Sequence, residues 1–267
     1  MERIKQAVEK ARKERRITQP QEKVVSITDS RPTGREIIKY TETRIVNVSP
    51  NMWKKNRISL GDTTDEISTS YKMLRTQVLQ KFKQQGWNSL GISSVSVGEG
   101  KSLSAVNLAI NMAREINHTV LLVDLDLRKP SIHRYFGYEP EYGLGDYLLN
   151  DVPLNKILFN PGIERLVVLP GNRSFIDSSE LLSSPVITNM VEDLKSRYPS
   201  RIIIFDLPPI LACDDAIAFS PYIDSTLLVI EEGKTKQGDL LNALDVLDQS
   251  KILGTVLNKS VEVNSAY

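Results

Sequence analysis

The residues with the clearest chemistry are the consecutive Gly98-Glu99-Gly100-Lys101-Ser102. They follow Leu90 to Val97, a run of small and apolar residues that reads as a strand and the start of a loop. They precede Leu103 to Ala109, which has helical apolar spacing. Strand, glycine loop ending in Lys-Ser, then helix is the build of a nucleotide phosphate site. The glycines let backbone N–H groups approach phosphates, and the helix N-terminus adds partial positive charge. Lys101 is placed to reach β and γ phosphates, and the Ser102 hydroxyl to ligate Mg²⁺. Val95 stands where the usual pattern begins with Gly. On the loop alone, an ordinary glycine turn opening a helix is a real competitor.

Three acids change the balance. Thr119 to Val123 is a nearly all-apolar run, as a strand of a buried parallel sheet requires, and it ends in Asp124-Leu125-Asp126-Leu127-Arg128-Lys129-Pro130. Carboxylates at i and i+2 past a strand point the same way, off its C-terminal end. In an open α/β sheet ligands sit at that edge. Another strand, Arg201 to Phe205, ends in Asp206-Leu207-Pro208-Pro209. This is the usual setting of a carboxylate that holds Mg²⁺ directly or through water. Singly each acid reads equally as a helix cap. Three of them with a phosphate loop make capping inadequate.

The elements that must position these groups are strands near 90–95, 119–124, 166–169, 202–206, 225–230 and 253–257, with helical patterns between most of them. This alternation predicts an α/β, doubly wound, mostly parallel sheet with helices on both faces. Asp65 to Lys83 has helical spacing, with Tyr71, Leu74, Val78 and Leu79 on one face. Residues 1–16 hold seven basic against three acidic residues around a narrow apolar stripe. They read as a solvated charged helix or as a docking helix. Residues 17–62 hold Pro20, Pro32, Pro50, Gly34 and Gly61 and read as a tether with one short strand at Arg44–Val48. The expected division is therefore a basic helix and linker over 1–62 and a nucleotide-binding domain over 63–267.

Composition sets the class. A chain of 267 residues holds one sizeable α/β domain plus an extension. Lys and Arg total 34 against 33 Asp and Glu, so no general attraction to nucleic acid is expected. Cys213 is the only cysteine, which excludes an intrachain disulfide and suits a reducing cytosol. No apolar run approaches the roughly 18 residues of a bilayer span, and no signal-peptide pattern opens the chain. The expectation is a cytoplasmic protein placed at the membrane through a partner.

Gly98–Ser102, Val120–Pro130, Phe136-Gly137, Ser179–Pro185, Ile203–Pro209, Gly233-Lys234-Thr235 and Leu253–Lys259 together resemble the bacterial tyrosine kinases of polysaccharide synthesis (BY-kinases). These resemble the ParA/MinD ATPases in fold. Ser96 occupies the place of the extra Lys usual in those ATPases, which favours the kinase branch. The stretch Thr43–Pro50 resembles the subgroup that accompanies exopolysaccharide operons.

The resemblance implies ATP and Mg²⁺ as cofactors. It implies nucleotide contact by Gly98, Glu99, Gly100, Lys101, Ser102 and Leu103 of the loop. It assigns Asp126 with Ser102 to Mg²⁺, Asp206 to the metal through water, and Asp124 to the base that takes the tyrosine proton. Sequence alone does not separate Asp124 from Asp126. Arg128 matches a phosphate-facing family residue or pairs with an acid. Asn258 stands where related folds read the adenine edge, or is a turn former.

The resemblance further implies autophosphorylation in a homo-oligomer. It also implies activation by the cytoplasmic tail of a separate membrane chain-length or export protein. Two departures stand out. The family's Glu, Arg and Arg of the subunit-packing helix are Thr69, Lys72 and Arg75 here, and Lys cannot reproduce the Arg fork. In place of a terminal tyrosine cluster stands Tyr267 alone, eight positions after Lys259. As the acceptor it would reach about 26 Å at ~3.3 Å per residue. Otherwise it is an incidental terminus. These departures keep open a ParA/MinD-type switch that hydrolyses ATP without phosphorylating tyrosine. A scaffold without turnover fits less well, since Lys101, Ser102 and the three acids supply what phosphoryl transfer needs.

Overall fold

The computed structural model describes residues 43–61, 66–198, 200–248 and 251–260. The basic segment 1–16 and Tyr267 lie outside the described residues. In chain order the elements are β1 (Arg44–Ile45), α1 (Pro50–Lys55), α2 (Glu66–Gln85), β2 (Ser89–Ser94), α3 (Lys101–Ala113), β3 (Thr119–Asp124) and α4 (Ile132–Tyr135). They continue with α5 (Leu144–Asn150), α6 (Leu154–Ile157), β4 (Phe159–Asn160), β5 (Leu166–Leu169), α7 (Ser178–Leu182) and α8 (Pro185–Ser196). The last are β6 (Arg201–Asp206), α9 (Asp215–Phe219), β7 (Ser225–Glu231), α10 (Gln237–Val246) and β8 (Ile252–Asn258).

The strands form one sheet in the order β1-β4-β5-β3-β6-β2-β7-β8. Every pairing is parallel except β4 with β5. Strands β2, β3, β5 and β6 are buried on both faces, as parallel strands covered by helices must be. Successive residues feed opposite cores. Val120, Leu122, Ile202 and Ile204 pack on one side with Val78 and Phe82 of α2 and with α3. Leu121, Val123, Ile203 and Phe205 pack on the other with Ile187, Met190, Val191 and Leu194 of α8 and Phe219 of α9. The expected doubly wound architecture is present.

Helix α3 is buried along nearly its whole length. This fixes the loop that precedes it, because a helix enclosed on all sides has no freedom to tilt. Register then brings the acids together. Asp124 of β3 is the direct partner of Asp206 of β6, and Ile92 of β2 lies opposite Asp206 on its other side.

Residues 43–61 contain the expected short strand, as β1, but pack on the core where a tether was expected. β1 joins the sheet edge through β4, a strand the sequence reading did not contain. Val46 and Ile58 are buried in the core, and Trp53 meets Phe136 edge to face with centroids 5.8 Å apart. Pro50 reads in isolation as a breaker. After Ser49 it is instead the first residue of a helix, with Ser49 Oγ accepting from the Met52 N–H at 3.3 Å. The same Ser-Pro device starts α8 at Ser184-Pro185. Beyond α1, Ser59 N–H donates to Asn107 Oδ1 of α3 at 2.7 Å.

In α2, Val78 and Phe82 are the buried apolar positions, and Leu74 and Leu79 pack beside them. Arg75 pairs with Glu115 of the same chain at 3.0 Å.

If residues 43–61 belong to the folded unit, Ile58→Ala will lower the unfolding free energy by about 2–3 kcal/mol. A tether residue would cost under about 0.5 kcal/mol. Urea unfolding followed by circular dichroism separates the two.

Candidate active site

Gly98 and Gly100 have φ of +85° and +95°, a region side-chain-bearing residues rarely adopt. A Cβ on Gly100 would also lie 2.1 Å from Asn258 Nδ2. The loop is held from outside. Asn258 Nδ2 donates to the Glu99 carbonyl at 2.8 Å, and Lys259 Nζ donates to the Gly98 carbonyl at 2.8 Å. A trans peptide points its N–H opposite to its C=O. Tying these two carbonyls outward therefore turns the N–H groups of Glu99 and Gly100 inward.

The Glu99 side chain is buried. It accepts from the Ser96 N–H at 2.8 Å and from Thr235 Oγ1 at 2.5 Å. Glu99 therefore belongs to the loop through its backbone and to its support through its carboxylate. Leu103 is partly buried against the α2 side of the core.

Lys101 lies among the acids. Its Nζ is 2.8 Å from Asp126 Oδ2, 3.2 Å from Asp206 Oδ1 and 3.2 Å from Ser102 Oγ. Asp126 Oδ1 accepts from the Lys129 N–H at 3.0 Å. Asp124 Oδ2 accepts from the Ser131 and Ile132 N–H groups, both at 2.9 Å. Asp124 Oδ1 and Asp206 Oδ2 are buried without a hydrogen-bond partner.

Three carboxylates thus surround one ammonium, and protonation reflects the imbalance. Burial pushes Asp124 up to about 7, with the Asp206 charge adding to it and the Ile132 N–H opposing it. Burial also raises Asp206, against the pull of Lys101. Burial alone would lower Lys101, but Asp206 and then Asp126 hold it above its ordinary value.

A divalent cation is the other way to neutralise such a site, and its donors, three carboxylates and the Ser102 hydroxyl, are all oxygens, as a hard cation requires. Among the described residues no group of three or more His, Cys, Asp or Glu is disposed to hold a metal alone. The chemistry suits Mg²⁺, which takes much of its shell from water and phosphate.

Arg128 pairs with an acid in this structure. Its guanidinium donates to Asp215 Oδ1 of α9 at 3.1 and 3.2 Å, so it is paired with a buried acid. Asn258 braces the phosphate loop. The sequence reading did not assign Thr235 and Lys259 a role. Both lie in the Gly233–Thr235 and Leu253–Lys259 stretches that carried the family resemblance. A small hydroxyl after a Gly-Lys turn and a cation after a strand-end Asn were their only signals.

A phosphate loop opening a buried helix, with three strand-end acids on the same rim, defines a P-loop nucleotide-binding protein. A family model described as an AAA domain matches residues 90–256. Tyrosine-protein kinase YwqD of Bacillus subtilis is 33% identical over 217 residues, covering 80% of this chain and 90% of that protein. Succinoglycan biosynthesis transport protein ExoP of Rhizobium meliloti is 32% identical over 64% of this chain, which spans only 22% of ExoP. The crystal structure of the VpsO kinase domain has a TM-score of 0.66 at 30% identity, covering 73% of this chain and 96% of that one. The chain belongs to the bacterial tyrosine kinase family, a branch of the P-loop ATPases.

Two outcomes follow from the geometry. Glu99→Ala removes two hydrogen bonds to a buried charge. It will weaken ADP binding by about tenfold or more, measured by calorimetry, because the loop loses the Ser96 and Thr235 contacts that hold it. Asp124 holds its proton in the folded state over a range where the unfolded chain, with an ordinary value near 3.9, has released it. Its contribution to stability is therefore lost as pH rises from about 4 to about 7. In urea titrations the fall in stability between pH 5 and pH 8 will be smaller for Asp124→Asn than for the unaltered protein.

Proposed function

We propose that this bacterial tyrosine kinase is an autokinase serving exopolysaccharide or capsule assembly, with site roles divided as follows. Gly98, Gly100 and Lys101 hold the phosphates of ATP. Ser102 and Asp126 hold Mg²⁺, and Asp206 supports it through water. When bound, Mg²⁺ neutralises charge on the β and γ oxygens. Asp124 accepts the phenolic proton. The bond between the γ phosphorus and the β–γ bridging oxygen breaks, a bond to the tyrosine oxygen forms, and ADP leaves with the electron pair.

The observation that carries this division is the asymmetry of the acids. Asp126 is bonded to Lys101 on one oxygen and to Lys129 N–H on the other. Asp124 is held by two backbone N–H groups on one oxygen while the other is free. A fixed carboxylate with an open oxygen and a proton affinity near neutrality suits a general base. Asp126 gains an open oxygen once Lys101 turns from the acids to phosphate, which suits a metal ligand.

Tyr267 is the proposed acceptor. The membrane component is proposed to be a separate chain. No described helix is long and apolar enough to cross a membrane. A homo-oligomer that presents Tyr267 to a neighbouring copy completes the proposal.

Incubation with Mg²⁺-ATP followed by intact-mass and peptide mapping tests it. Phosphate is expected on tyrosine, lost in Lys101→Met and reduced about 10²- to 10⁴-fold in Asp124→Asn. Full phosphotyrosine in Tyr267→Phe would remove the acceptor assignment. Lys101-dependent release of inorganic phosphate with no phosphotyrosine would replace the kinase reading by an ATPase switch.

A further inference from the structure

The loop that follows β5, residues 170–175, holds no phosphate, yet it is tied down along its length. The Pro170 carbonyl accepts from the Leu144 N–H at 2.8 Å, and the Phe175 N–H donates to the Leu127 carbonyl at 2.8 Å. Asn172 Nδ2 donates to Asp146 Oδ2 at 2.6 Å. Asp146 is itself buried, and it also takes the Gly143 N–H at 2.9 Å and Arg173 at 3.1 Å. From α4, the buried His133 ring hydrogen-bonds the Gly171 backbone.

This framework sets Gly171 against the acids. Its φ is not positive, so space and not backbone conformation requires a glycine there. A Cβ would lie 2.5 Å from Pro130 Cβ and 3.7 Å from Asp124 Cγ. The bare backbone thus keeps side-chain bulk away from the flank of Asp124, whose Oδ1 has no partner. Strand order gives that flank a direction. The phosphate loop follows β2, Asp206 ends β6, Asp124 ends β3 and Gly171 follows β5, and the sheet runs β5-β3-β6-β2. Three spacings of about 4.8 Å set the β5 end about 14 Å from the β2 end. In-line transfer requires the attacking oxygen opposite the leaving one. ADP is held on the β2 side, so the attacking oxygen comes from the β5 side.

We propose that loop 170–175 is the acceptor subsite: the tyrosine ring enters over Gly171, and its flanking chain lies along the exposed Arg173 and Ser174. The inference rests on the kinase reading and on Asp124 as the base. Arg173 is fixed twice, by Asp146 and by the Phe175 ring 5.3 Å beneath its guanidinium, so the outer edge of the subsite is a set surface. Residues 259–267 leave β8, five spacings or about 24 Å from β5 and on the far side of the nucleotide. The occupant is therefore the acceptor segment of a second copy.

Gly171→Ala in the full chain tests the subsite, because a methyl group at this flank obstructs a phenol far more than a water molecule. After incubation with Mg²⁺-ATP, phosphotyrosine is read by mass and inorganic phosphate by a colorimetric assay, with ADP affinity from calorimetry. Phosphotyrosine is expected to fall about 100-fold, with phosphate release and ADP affinity unchanged. Asn172→Ala keeps the glycine and frees the loop from Asp146. It is expected to give the same split on a smaller scale, and it decides the matter if Gly171→Ala does not fold. Parallel loss of phosphotyrosine and phosphate release in a folded variant overturns the subsite, as does undiminished phosphotyrosine. In both outcomes the unaltered chain still forms phosphotyrosine, so the kinase reading stands. If the unaltered chain releases phosphate and forms no phosphotyrosine, the kinase reading falls and the subsite falls with it.

Discussion

One ammonium among three buried carboxylates sets the terms for the rest of this molecule. Lys101 meets Asp126 and Asp206 within 3.2 Å, and Asp124 stands fully buried beside Asp206 in register. Such a cluster is costly to desolvate unless it is paired, protonated or bound to a cation. Pairing covers one charge, and the high proton affinity of Asp124 and Asp206 follows from the remainder. A site of this kind is poised to exchange Lys101 and a proton for phosphate and a divalent cation, since these bring the complementary charges. The surrounding fold holds the acids close without letting them relax. Parallel pairing sets Asp124 against Asp206, and the enclosed helix α3 holds Lys101 over them.

Much of this was legible in the sequence because it depends on local rules. Apolar runs of strand length bounded by acids predict buried parallel strands, and each of the six expected strands is present. Gly98 and Gly100 were readable because their conformation excludes other residues. What escaped was set by tertiary contact. The pair of residues in β4 is too short to carry a periodic signal, and it is a strand only because β1 and β5 flank it. Helix α1 was masked by Pro50, whose meaning depends on whether the preceding serine caps it. Arg128 pairs with the buried Asp215, 87 positions later, a contact that no local pattern encodes. The Glu99 carboxylate is held by Ser96, three positions before it, and by Thr235, 136 positions away, and no local pattern encodes the second contact.

The support of the phosphate loop shows how such distant contacts serve function. Lys259 has φ of +59°, a conformation that costs a non-glycine residue roughly 1 kcal/mol or more. Its side chain compensates by binding the Gly98 carbonyl at 2.8 Å and Glu231 Oε2 at 2.9 Å. The neighbouring Asn258 occupies the space that a side chain on Gly100 would need. The end of β8 and the phosphate loop therefore define each other's shape: the glycine admits the asparagine, and the asparagine and lysine hold the carbonyls that turn the N–H groups inward. A displacement of residues 258–259 reaches those N–H groups through the Asn258 and Lys259 side chains and their two hydrogen bonds. The phosphate loop and the end of β8 are thus coupled by geometry. Because such coupling is reciprocal in free energy, occupancy of the loop must also favour one placement of Asn258 and Lys259.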